Sequence, residues 1–226
     1  MQRNFVVKKM KTLDIGGITY IELLHGTDEW YYGISYEHGD LYEAEEIYKA
    51  GHEVEGRKLC LIHYPDGEVF WPEPKQRGIY PAEPVYGNGS IYILSVDFPG
   101  SLIRILKFSC VEKTLEPFAE LPLDSVKDCY NLSLVTKPLT LTRQCVGTNE
   151  FEIVWPERVS FAMGDHDSFF LRDGDKLYFS RWYEEGEGAD YRYWEKTVVR
   201  DLTGDVIQEF PGDVRLMPNG ELWHLR

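Results

Sequence analysis

Cysteine is scarce in this chain: four residues in 226, at Cys60, Cys110, Cys129 and Cys145. None belongs to a Cys-x-x-Cys pair, and four in this length do not build a disulfide scaffold. Cys60 and Cys110 lie in apolar, strand-like runs, which predicts buried free thiols. A Cys129–Cys145 bridge has no support in the sequence. Long apolar runs are missing too, since nothing approaches the roughly 18 apolar residues of a membrane span. The opening residues, Met1-Gln-Arg-Asn-Phe-Val-Val-Lys-Lys, put charge on both sides of a short apolar run. A secretory signal needs a much longer apolar centre. These absences predict a cytoplasmic protein without membrane contact. Positive charge is in deficit as well, with 24 Lys and Arg against 38 Asp and Glu and a formal net charge of -14. That field repels phosphate backbones and anionic bilayers, which excludes nucleic acid as a partner.

Catalytic signatures are absent next. There is no Gly-x-x-x-x-Gly-Lys-Ser/Thr loop, no Gly-x-Gly-x-x-Gly, no His-Glu-x-x-His and no Gly-x-Ser-x-Gly. His25, His38, His52, His63, His166 and His224 are scattered without ligand spacing. The sequence therefore names no catalytic residue, no metal ligand and no cofactor.

What the chain does have is aromatic side chains, 14% of residues, with 15 Tyr, 11 Phe and 6 Trp. Such residues suit pleated, half-buried surfaces and predict strands. A phrase of the form Gly-x-(Leu/Val/Ile)-aromatic also recurs. It reads Gly39-Asp-Leu-Tyr42, Gly67-Glu-Val-Phe70, Gly89-Ser-Ile-Tyr92 and Gly220-Glu-Leu-Trp223, with a longer form, Gly174-Asp-Lys-Leu-Tyr178. Asn or Asp precedes most of these glycines. Asn-Gly and Asp-Gly supply the positive φ angles of tight hairpins, so a strand is expected after each turn.

Tyr42, Tyr92, Tyr178 and Trp223 fall at intervals that are multiples of 40–50 residues. A divergent copy is expected near residue 135, in Cys129-Tyr-Asn-Leu-Ser-Leu-Val135, and the Phe70 copy reads as a second hairpin inside one unit. This pattern resembles the generic β-propeller repeat, across about residues 20–225. The resemblance implies a single all-β domain over 1–226, a five-bladed ring of antiparallel sheets. Pairing of N- and C-terminal strands would close it, with Phe5-Val-Val-Lys8 and Ile18–Leu24 as the N-terminal strands. The alternative architecture is an antiparallel sandwich or open barrel. Leu41, Ala44, Ile47 and Tyr48 share one helical face, so a helix over Leu41–Ala50 would remove the first copy.

Three clusters carry possible chemistry. Asp165-His-Asp167 and Asp173-Gly-Asp175 offer oxygens for a cation, but about six residues of strand separate them by roughly 20 Å. They read as strand-entry and turn residues. Glu184–Asp190 is an acidic loop. Trp30, Tyr32, Trp182, Tyr193 and Trp194 sit beside carboxylates, the pairing that carbohydrate sites use: ring faces stack on sugars and acids accept hydrogen bonds from hydroxyls. A repeat architecture without catalytic motifs points to a non-catalytic module that binds a protein or small molecule. The alternative is a carbohydrate-binding or carbohydrate-active protein using those five aromatics.

Overall fold

The computed structural model describes residues 10–37, 39–73 and 75–225. Phe5-Val-Val-Lys8 therefore lies outside the described residues. The fold is all-β with one α-helix among those residues, and its strands form successive antiparallel sheets. The first sheet holds β1 (Glu22–Leu23), β2 (Trp30–Ile34), β3 (Leu59–His63) and β4 (Glu68–Phe70), with α1 (Leu41–Lys49) between β2 and β3. In the second, β5 (Ile79–Pro81) and β6 (Val85–Gly87) both pair with β7 (Ser90–Asp97), followed by β8 (Leu102–Ser109) and β9 (Thr114–Pro122). The third runs β10 (Leu132–Thr136), β11 (Leu139–Cys145), β12 (Glu150–Trp155) and β13 (Val159–Ala162). The fourth runs β14 (Asp167–Asp173), β15 (Lys176–Glu185), β16 (Arg192–Arg200) and β17 (Val206–Pro211). Two strands, β18 (Asp213–Leu216) and β19 (Leu222–Leu225), make the fifth.

The turn chemistry explains where the chain reverses. Asn88 and Gly89 have φ of 52° and 74°, both positive, as a two-residue hairpin with the right twist requires. β7 follows, and all eight of its residues are buried. Its run Ser-Ile-Tyr-Ile-Leu-Ser-Val-Asp is nearly continuous in apolar character because both faces are covered. Ile91 and Ile93 pack toward the first sheet, on Trp30, Tyr32 and Leu61. Tyr92, Leu94 and Val96 pack the other way, with Leu132, Leu141 and Val154 of the third sheet. The third and fourth sheets meet through Phe151, Ile153, Phe179 and Val198. Val214 and Leu222 of the fifth sheet join Leu171 and Val199 of the fourth. Each fully buried aliphatic side chain contributes about 1.5–3 kcal/mol.

The far face of the first sheet is covered differently. Ile18 and Ile15 pack on Cys60 and Ile62. A Cβ at Gly33 would stand 2.9 Å from Ile18 Cγ2 and 3.2 Å from the Tyr20 carbonyl oxygen. Glycine in mid-strand is what lets this segment cross so closely.

Two readings of the repeat need correction. Gly39-Asp-Leu-Tyr42 does not lead into a strand; it opens α1. Asp40 caps the helix by accepting from the Tyr42 and Glu43 N–H groups, and Glu43 accepts in return from the Asp40 N–H. Helix formers follow (Glu43-Ala-Glu-Glu), and this reciprocal capping box outweighs the glycine signal. The copy near residue 135 is the first strand of its sheet, whereas the Gly89 and Gly174 copies lead into second strands. Gly67-Glu-Val-Phe70 enters β4 as the outer hairpin of the first sheet. Ile18–Leu24 contributes only the short β1, and among the described residues β19 pairs with β18 alone.

The first hairpin turns of the sheets collect at one end of the molecule. The Gly174 N–H donates to the Lys137 carbonyl at 2.9 Å, and Lys137 Nζ donates to the Gly220 carbonyl at 2.8 Å. His25, Asn88, Thr136 and Met217, from four different turns, line one cavity of about 270 Å³ there. Strand direction alternates, so α1 and the β15–β16 loop lie at the other end.

Candidate functional site

At that α1 end, a cavity of about 570 Å³ opens between the first, second and third sheets. Its polar lining comes from separate segments: Tyr36, Asp40 and Arg57 flank α1, Glu83 lies between β5 and β6, Tyr130 precedes β10 and Ser133 lies within it. Volumes of this order are typical of small-molecule sites.

Arg57 is the unusual member. It is only 8% exposed, and its Nε donates to the Ser35 carbonyl at 3.0 Å. Its Cζ sits 4.5 Å from the Tyr36 ring centroid and 5.5 Å from that of Tyr80. The backbone N–H of Arg57 donates to Ile79 of β5. Among the described residues, no carboxylate lies within ion-pair distance of the guanidinium. Every other buried arginine is paired: Arg143 with Asp128, Arg172 with Glu157, and Arg200 with Asp167. A buried cation costs several kcal/mol unless something compensates it. Here two ring faces and one carbonyl do so, and the residue lines the cavity.

The surroundings are rigid. Tyr80 donates its hydroxyl to the Gly39 carbonyl at 2.6 Å, and burial pushes that hydroxyl up to about 12. Glu45 of α1 accepts from the Cys129 and Tyr130 N–H groups, tying the helix to the third sheet. Tyr42 meets Tyr130 edge to face at 4.9 Å. The Asp40 carboxyl is held below its ordinary range by Glu43 hydrogen bonding first, then by the helix N–H groups and Arg57.

A second cavity of about 650 Å³ lies between His25 and the fourth and fifth sheets, but its charges are satisfied. Arg215 pairs with Asp213 at 3.0 Å, and Glu195 accepts from Ser180 and Tyr193.

The five aromatics expected to form a platform are not brought together. Trp30 and Tyr32 are buried between the first and second sheets, at 2% and 8% exposure. Tyr32 donates to Glu22, and burial raises its hydroxyl ahead of any effect from Glu83 or Glu22. Trp182, Tyr193 and Trp194 lie on the β15–β16 ribbon, where it extends past the strand pairing of β14 and β17. Strand alternation splits them. Trp194 stacks on its cross-strand partner Tyr183 at 5.4 Å, while Trp182 and Tyr193 face the other side with Glu195 and Glu184. Trp182 also carries the His166 ring at 3.8 Å.

Asp167 is taken up inside the fourth sheet by Arg181 and Arg200. Among the described residues no three His, Cys, Asp or Glu side chains converge as a metal site would need. All four cysteines are free; Cys60 and Cys129 are buried, and burial pushes the Cys110 thiol up to about 11. Among the described residues no helix is long and apolar enough to cross a membrane.

Sequence reasoning passed over Arg57 and Glu83. Nothing in Glu55-Gly-Arg-Lys58 or Ala82-Glu-Pro84 marks either residue, because their roles arise from segments far apart in the chain. No protein-family model matches this chain, and no curated protein matches it.

Proposed function

We propose that this chain is a five-unit, propeller-like binding platform, and that its Arg57 cavity receives a small carboxylate-bearing ligand without catalysing a reaction. Three features support the ring: turns from successive sheets meet at one end, consecutive sheets bury both faces, and the fifth sheet lies beside the His25 turn. A closed particle of this length has a radius of gyration near 17 Å by the usual scaling for compact domains. Small-angle scattering is expected to return that value; one above about 20 Å means an open arc. Four unpaired thiols support a reducing compartment such as the cytoplasm.

The observation that carries the binding reading is the Arg57 guanidinium, buried, fixed by Ser35 and Tyr36, and, among the described residues, without a carboxylate partner. A planar fork in that state pairs bidentately with a carboxylate. Saturation-transfer NMR with small carboxylates and neutral monosaccharides tests this. Carboxylate signals are expected from the wild type and a loss of roughly tenfold in affinity from Arg57→Lys, which keeps charge but not the fork. Monosaccharide binding that ignores Arg57 and vanishes in Trp182→Ala would move the site to the ribbon and support the carbohydrate reading instead.

A further inference from the structure

We infer that the ligand of the Arg57 cavity is a zwitterion, a small molecule with a carboxylate at one end and an ammonium group at the other. This rests on the binding reading above and names its ligand class. The charge balance of the lining carries it. Arg57 faces the cavity with two carboxylates, Asp40 and Glu83. Asp40 is committed to the α1 cap, where it accepts from the Tyr42 and Glu43 N–H groups. Glu83 is exposed and, among the described residues, makes no hydrogen bond or ion pair.

Two opposite charges therefore line one cavity without reaching each other. The reason is mechanical. Arg57 is anchored at both ends of its side chain, by its backbone N–H on Ile79 and by Nε on Ser35, with Tyr36 against the guanidinium. It cannot swing to Glu83. Glu83 sits between Pro81 and Pro84, and the Ala82 N–H beside it is bonded to Leu94, so its backbone is fixed as well.

The same balance argues against simpler anions. A phosphate dianion brings two negative charges beside Glu83 and Asp40, in a chain already at -14. A lone carboxylate pairs with Arg57 but leaves Glu83 unpaired and repelling. A ligand with an added ammonium satisfies both fixed charges. Opposed charges across a site also set ligand orientation and reject partners of the wrong sign.

Calorimetric titration with linear ω-amino carboxylates of stepwise increasing length, each beside its matched alkanoate and alkylamine, tests this. One length is expected to bind roughly tenfold or more tightly than either single-charge analogue. Glu83→Gln, at an exposed position without partners among the described residues, is expected to abolish the advantage of the amino carboxylate over its alkanoate, and to leave the alkanoate bound as well as before or, with the repulsion gone, slightly better. Arg57→Lys is expected to weaken both. Alkanoates that bind as well as their amino partners, or a preference that survives Glu83→Gln, overturn the zwitterion and leave the carboxylate site standing. If no carboxylate of either kind binds, both readings fall.

Discussion

Asp167→Ala is expected to lower the unfolding free energy by about 3–5 kcal/mol, the usual cost of stripping one partner from a buried ion pair. Asp167 opens β14, and its side chain is fully buried. It accepts from Arg181 at 2.5 and 3.0 Å, from Arg200 at 2.8 Å and from the Gly164 N–H at 2.9 Å. One carboxylate thus clamps three adjacent strands. Without it, Arg200 keeps its charge inside the sheet with no counter-ion among the described residues, and Arg181 retains only Glu209 at 3.8 Å. Thermal unfolding should shift down by roughly 10 °C for a chain of this size. An unchanged midpoint would show that water reaches these arginines and would refute the clamp.

The same group sets a pH dependence. Burial by itself would raise the Asp167 carboxyl, but Arg181, Arg200 and the Gly164 N–H together hold it below its ordinary value. The folded pKa is then lower than the unfolded one, near 3.9. Stability from this source is complete above that value and disappears as pH falls through the folded pKa. Wild-type protein should lose stability steeply below about pH 4, and Asp167→Ala should show a shallower slope in that window.

Phe151→Ala is expected to cost about 3–5 kcal/mol through an unfilled cavity between the third and fourth sheets. Phe151 is fully buried, with Phe169 at 4.8 Å, Phe161 at 5.1 Å and Phe179 at 5.3 Å. Three partner rings, Phe161 from the same sheet and Phe169 and Phe179 from the fourth, cannot all collapse into the vacated space. Phe151→Leu should cost less, because more of the volume stays filled. Urea denaturation measures both, and a Phe151→Ala cost below about 1 kcal/mol would mean that the two sheets do not depend on this contact.

Much of the sheet structure is legible in the chain. Asn88-Gly89 and Asp173-Gly174 turn where expected, β8 and β9 follow in order, and Val198–Phe210 forms the outer hairpin of the fourth sheet. The phrase fails at Gly39 because four residues of a repeat say less than the nine that follow, whose capping box and helix formers agree with one another. The five aromatics do not come together, for a related reason. Composition counts rings but does not separate Trp30, packed against Phe70 and Phe108, from Trp194 on an open ribbon.

The amino-acid order by itself determined where this chain turns, which stretches extend, and that alternating faces must be covered by further sheets. Those outcomes depend on φ preferences and on side chains two residues apart. Only the tertiary structure decided which charges go unanswered. Among the described residues Arg57 has no carboxylate partner because Ser35, Tyr36 and Tyr80 hold it away from Glu83, and an arrangement that depends on three distant segments leaves no trace in any one of them.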